Sequence, residues 1–158
     1  RELTGEASLK LHTKYFGEID YEKDELITFP KGLFGFEDEH AFLLIPFQAD
    51  NHTLFCLQSA QTSSLAFVLM DPFSLSPSYA PMPQSVDLEF LEVEESQDLS
   101  YYTMCVVKNP VSESTVNLKC PVAINAHTRK AQQVILDSEE YHMRHRLAEF
   151  HPGEDVSC

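Results

Sequence analysis

The apolar residues of this chain fall in short runs, each closed within a few positions by a turn-forming or charged residue, and none is long enough for an extended helix. Leu9, Leu11, Thr13 and Tyr15 alternate with Lys10, His12 and Lys14, the period of two expected of a strand with one buried face. Gly17 interrupts it, and residues 18–21 return as a second strand. Residues 26–29 make a short strand stopped by Pro30. The apolar runs at 42–47, 54–57 and 65–70 read as buried strands, and 99–107 as another. Residues 116–124 and 131–136 complete the series, joined by a hairpin over 125–130. Seven or more short strands without a long helix predict an all-β fold. We expect a small antiparallel β-barrel-like single domain with one or two short helices.

The links between strands are less regular. Gly32 and Gly35 punctuate the aromatic turn Lys31-Gly32-Leu33-Phe34-Gly35-Phe36, and 37–40 reads as one helical turn. Four prolines in residues 72–83 predict an irregular loop. Residues 85–95 carry two patterns: Val86, Leu88 and Phe90 alternate like a strand, while Leu91 and Glu92 fit a short helix capped by Ser85, the reading we favour; 139–158 reads as a charged tail. Residues 1–8 are a lead-in or expression remnant, 9–147 the domain, and 148–158 a flexible tail.

Charge narrows the function. Residues 32–107 hold eleven carboxylates and neither lysine nor arginine, and they carry most of the net charge of −14. Nucleic-acid affinity comes largely from cationic side chains neutralising phosphates, so direct DNA or RNA binding is not expected. Such a surface attracts basic proteins or simply keeps the chain soluble. Cys56, Cys105 and Cys120 lie in apolar runs and no CxxC pair exists. They read as reduced, buried thiols of a cytoplasmic protein. No secretory leader and no apolar stretch of membrane-spanning length is present, so no membrane partner is expected.

Catalytic patterns are weak. Glu92, Glu94, Glu95 and Asp98 could supply an acid and a base, but so dense a carboxylate run is more often a solvated face. His142 and His145 share the spacing of two metal ligands on a helix face. With Arg144 and Arg146 beside them and no third ligand nearby, they read as solvated histidines. Residues 20–25 lack the glycine and distal glutamate of a calcium loop and read as an exposed turn. There is no phosphate loop, no nucleophile elbow and no zinc-protease motif. No cofactor, metal or catalytic residue is expected.

Several segments in order resemble the FliW family of bacterial flagellar assembly factors. They are Thr13-Lys14-Tyr15-Phe16-Gly17-Glu18-Ile19, Ile27-Thr28-Phe29-Pro30-Lys31-Gly32-Leu33-Phe34-Gly35-Phe36-Glu37, Leu57-Gln58-Ser59, and Leu65-Ala66-Phe67-Val68 with Asp71-Pro72-Phe73. Asn117-Leu118, Pro121-Val122-Ala123-Ile124-Asn125, the stretch from Thr128 to Leu136, and Tyr141 with Arg144-His145 follow. The resemblance covers about 9–147; the chain departs from it at 74–97 and beyond Leu147. It implies a β-barrel-like domain without catalysis and two partners. One is flagellin. The other is CsrA, an RNA-binding repressor of flagellin translation, sequestered until accumulating flagellin takes the factor back.

Two sets of residues follow as candidates. Asp71, Glu89, Glu92, Glu94, Glu95 and Asp98 form the expected acidic face for CsrA. Phe34, Phe36 and Phe73 are the expected apolar contacts for flagellin, unless Phe34 and Phe36 plug one end of the barrel. We expect a monomer. A flagellin chaperone with no RNA-linked role would need an apolar groove without acid nearby; a small acid–base enzyme would need a carboxylate-lined pocket.

Overall fold

The computed structural model describes residues 9–48 and 51–150; the lead-in 1–8, the end of the tail from 151 and Cys158 lie outside the described residues. Strands β1 (Leu9–His12) and β2 (Glu18–Tyr21) form a hairpin of their own. Then follow β3 (Ile27–Thr28), β4 (Ala41–Gln48), β5 (Asn51–Ser59) and β6 (Ala66–Met70). Two short helices come next, α1 (Pro72–Leu75) and α2 (Ser85–Phe90). The chain returns to strands in β7 (Ser100–Val106), β8 (Thr115–Val116), β9 (Val122–Asn125), β10 (Lys130–Gln133) and β11 (His145–Arg146).

Seven of these strands close a barrel in the order β7-β6-β5-β4-β3-β10-β9, and β9 pairs back onto β7. All the pairings are antiparallel except β3 with β10, which is parallel and rests on Lys130 opposite Thr28. β7 does two jobs. Its first half pairs with β9 at Ser100–Tyr102, and its end pairs with β8, which carries β11.

Alternation along the strands builds two cores. Val122 and Ile124 of β9 point into the barrel with Ile27, Phe29, Leu33, Phe42, Leu57 and Leu69. Ala123, between them, points outward to a second cluster with Met70, Leu91, Leu99, Tyr101, Val116 and Leu136. That outer cluster lies under residues 72–99, so the acid-rich, proline-rich segment is a lid on the barrel wall. Asp87 ties it down, accepting a 2.7 Å hydrogen bond from Gln132 of β10. The Asn125 amide donates to the Leu91 carbonyl at 2.8 Å.

Several local expectations change. The first strand ends at His12, because Thr13 turns the chain by accepting from Phe16 and donating to Gly17. Residues 37–40 form a turn without a helical ladder. The predicted loop at 72–83 begins with α1, capped by the Asp71 carboxylate on the Phe73 N–H with Pro72 in the first turn. α2 exists, but Gln84 rather than Ser85 caps it. The strand expected over 116–124 breaks in two, because Asn117 turns its side chain onto the N–H groups of Lys119 and Cys120. The strand expected over 131–136 ends at Gln133.

The segment read as a tail from 139 is folded to Phe150. Tyr141 lies edge-on to Tyr79 at 4.7 Å, and Phe150 packs against the outer core. His145 is buried rather than solvated. Its Nε2 accepts the His142 N–H at 2.8 Å, which places the ring proton on Nδ1, 3.0 Å from Glu149. Both ring nitrogens are occupied, so the pair offers no metal site, and none appears among the described residues. That hydrogen bond holds Glu149 below the usual carboxylate range. The fold therefore favours the ionised form. Its stabilisation is present above the unfolded value near 4.5 and is lost as pH falls through the lower folded value. Glu149→Gln should cost less than about 1 kcal/mol at neutral pH, the range of exposed pairs. In urea titrations that difference should shrink as pH falls below the unfolded value and vanish once Glu149 is protonated in the folded state as well.

Cys56 and Cys120 are buried as expected, while Cys105 is only half-buried; all three are free thiols. Burial pushes Cys56 and Cys105 up to about 11 and raises Cys120 as well. A thiol reagent at mildly alkaline pH should label these three slowly in the native protein and rapidly after unfolding. Cys56→Ala should cost about 1 kcal/mol. Fast native labelling of all three would contradict the burial.

Candidate functional site

The barrel has two contrasting ends, and β7 runs from one to the other, roughly 20 Å for a strand of its length. The acidic end lies where β7 begins and the β9–β10 hairpin turns. The apolar end lies where β7 finishes and β10 stops.

At the acidic end the chain descends from α2 through Glu92, whose φ of 64° is the left-handed conformation. A 3-10 turn at Ser96–Asp98 follows, closed by the Glu95 N–H donating to Asp98 at 3.2 Å. This geometry brings Glu92, Glu94 and Asp98 to a depression completed by His127 and Thr128 of the hairpin. The six expected acidic residues are not one face, however. Glu89 is exposed on α2, and Glu95 is exposed beside the depression. Asp71, at the end of β6, opens onto a separate groove. Cations also arrive from outside the lysine-free span. Lys130 approaches Glu92 at 3.7 Å, and Lys31 and Lys130 stack on the Phe90 ring at 4.3 and 4.2 Å. The linear charge count therefore overstates the field near Glu92. Among the described residues, Glu94, Glu95 and Glu89 have no such lysine.

At the apolar end, the aromatic turn settles one question. Leu33, 1% exposed, fills the barrel with Phe29, while Phe34 is 49% and Phe36 is 41% exposed. The two phenylalanines do not plug the barrel. Phe36 lies edge-on to Phe67 at 5.1 Å, and the Phe34 N–H donates to Gln133 at 3.1 Å. Beside them is a groove of about 500 Å³ bordered by Tyr15, Phe34, Phe67 and Val106. It exists because the β6–β7 ladder ends at Val68 opposite Cys105, while β7 continues alongside β8. Among the described residues, Ala66 and Phe67 pair only with β5. Val106 and Val107 are exposed and extend the apolar rim. Sequence reasoning missed these two valines and Tyr15; the signal was an apolar strand end running into polar Lys108.

Phe73, the third apolar candidate, is elsewhere. It stacks on Tyr79 at 5.7 Å and on Tyr101 at 6.5 Å, and it borders the Asp71 groove. Sequence reasoning grouped Phe73 with Phe34 and Phe36; the barrel separates them. Among the described residues no helix is long and apolar enough to cross a membrane.

Comparison with known proteins adds to this geometry. The sequence model of the family described as FliW protein matches residues 10–147. A flagellar assembly factor FliW from Geobacillus thermodenitrificans is 37% identical over 139 residues, 88% of this chain and 95% of that protein. One from Alkaliphilus metalliredigens is also 37% identical, over 88% of this chain and 86% of its own. A crystal structure of the flagellar assembly factor FliW superposes with a TM-score of 0.80 at 37% identity, covering 88% of this chain and 96% of that one.

Proposed function

The chain belongs to the FliW family, and from that premise we propose that it is a non-catalytic cytoplasmic regulator of flagellum assembly that holds two protein partners by chemically different surfaces. The acidic end takes the basic translational repressor CsrA. The apolar groove takes flagellin. When flagellin is scarce CsrA is sequestered and flagellin is translated; accumulating flagellin claims the regulator and releases CsrA. The observation that carries this reading is the division of one barrel into an acidic end and an apolar groove at opposite ends of β7. Carboxylates steer a basic partner and repel the phosphates of its RNA. An apolar groove beside a half-paired strand suits an amphipathic segment or an added strand.

The test of the acidic end is a combined Glu89→Gln, Glu92→Gln, Glu94→Gln and Glu95→Gln protein. Each exposed pair contributes about 0–1 kcal/mol, so single changes should be quiet. The combination should weaken CsrA binding about tenfold, leave flagellin binding unchanged, and flatten the salt dependence of association. CsrA affinity that ignores both the combination and added salt would leave the carboxylates as a solubilising face. Retained flagellin binding without any CsrA binding would favour a dedicated flagellin chaperone.

A further inference from the structure

The Asp71 groove is a third surface, distinct from the acidic depression and the apolar groove. It has a volume of about 710 Å³, and Asp71 is the single carboxylate among its lining residues, which include no lysine or arginine. Its walls are aromatic. Phe55 and Tyr102 meet edge to face at 5.2 Å, and Phe73 meets Tyr101 at 6.5 Å. Met82 stands exposed at its rim.

One Asp71 oxygen caps α1 through the Phe73 N–H at 2.9 Å. The other receives no hydrogen bond from a described residue. The carboxylate's field reaches the wall: after burial itself, Asp71 is the strongest influence raising the Tyr102 phenol, which Arg129 opposes. The Tyr101 hydroxyl donates to the Ser96 carbonyl at 2.9 Å, which leaves its own oxygen free to accept.

These features restrict the occupant. Anything that covers the groove also removes water from Asp71, and an uncompensated buried carboxylate is costly. A purely apolar ligand is therefore disfavoured, and a phosphate is repelled. A cation answers the charge, and π faces attract it further. Between the two protein cations, a guanidinium is planar, weakly hydrated and able to stack on rings while bonding a carboxylate. We propose that this groove is a receptor for an arginine side chain of a basic protein partner, gripped by Asp71 and the rings of Phe73, Tyr101 and Tyr102. The groove is wider than one guanidinium needs, so residues flanking the arginine enter with it. The identity of that partner as CsrA rests on the function proposed above; the chemistry of the receptor does not.

Two measurements separate these claims. The first uses the purified chain with carbon-13 in its methionine methyls, titrated with N-acetyl-arginine amide or with its neutral isostere N-acetyl-citrulline amide. The arginine probe should shift the Met82 methyl saturably and leave Met143 unmoved; the citrulline probe should do neither. Asp71→Asn keeps the helix cap, because asparagine caps as well as aspartate. It should weaken the arginine probe about tenfold, as expected for loss of one charge-assisted hydrogen bond. A still Met82, an equal response to citrulline, or an unchanged affinity in Asp71→Asn would each overturn the receptor. The second measures CsrA binding to the wild type and to Asp71→Asn with matched melting curves. A tenfold loss supports the assignment. Equal binding to both overturns it for CsrA while the regulatory reading stands. Failure of the wild type to bind CsrA removes that reading, and the arginine titration still decides the groove.

Discussion

Leu33→Ala should lower the unfolding free energy by about 2–5 kcal/mol, whereas Phe34→Ala, one residue on, should change it by less than about 1 kcal/mol. Leu33 is sealed in the barrel with Phe29 and Phe42, and truncating it leaves a cavity between strands that cannot collapse. Phe34 is about half exposed, and its backbone rather than its ring is anchored, through Gln133. For a chain of this size the first change corresponds to a melting temperature lower by about 5–15 °C. Flagellin binding should reverse the order of the two. Phe34→Ala removes a large apolar side chain from a groove rim and should weaken binding about tenfold, as loss of an interface anchor does. Urea denaturation and calorimetric titration on both variants decide the matter. Equal destabilisation by the two would make Phe34 a core residue. Intact stability together with intact binding in Phe34→Ala would remove it from the interface.

Gly32→Ala and Gly35→Ala should differ sharply although both glycines have positive φ, 69° and 87°. A Cβ on Gly32 would sit 2.6 Å from the Glu37 Cα, the Glu37 carbonyl oxygen and the Phe36 carbonyl oxygen. All three are backbone atoms, so no rotamer change relieves the contact. The turn must open, which costs about 3 kcal/mol or more. It also moves Leu33 and Phe34 together, so stability and flagellin binding should fall in parallel. A Cβ on Gly35 meets nothing within 4 Å. Only the left-handed backbone preference is lost, about 1 kcal/mol. Thermal melting of the two variants is sufficient. Equal costs would show that conformation rather than space selects glycine at 32.

The strands were legible in two ways: burial alternates with a period of two in β2 and the first half of β7, whereas β4 and β6 are short apolar runs bounded by polar residues. Closure of the barrel was not. The β3–β10 junction rests on Thr28 opposite Lys130, and on the Thr28 N–H donating to the Arg129 carbonyl at 2.8 Å. Neither short segment carries a signal for the other. Helix α1 was legible and passed over: Asp71-Pro72 supplies both a cap and a proline in the first turn. The acidic residues misled because a count along the chain ignores folding. The left-handed turn at Glu92 and the bend at Ser96–Asp98 send neighbouring carboxylates to different surfaces, and Lys31 and Lys130 come from elements far along the chain. His145 was misread for a similar reason. Its surroundings in sequence are charged, but β8 and Phe150 cover it.

The parallel seam between β3 and β10 has a temporal consequence. It joins the beginning of the barrel to a strand near its end; Phe34 and Gln133, which meet beside it, are 99 positions apart. Contacts of such separation form late, since the chain must first close a long loop. A growing polypeptide on the ribosome that has not yet released β10 has no seam, and the groove at Phe34 lacks the Gln133 wall. The apolar docking surface is therefore created by the last act of folding rather than by its first. Under the function proposed above, an unfinished molecule would not draw flagellin from the pool, and only completed copies would enter the tally.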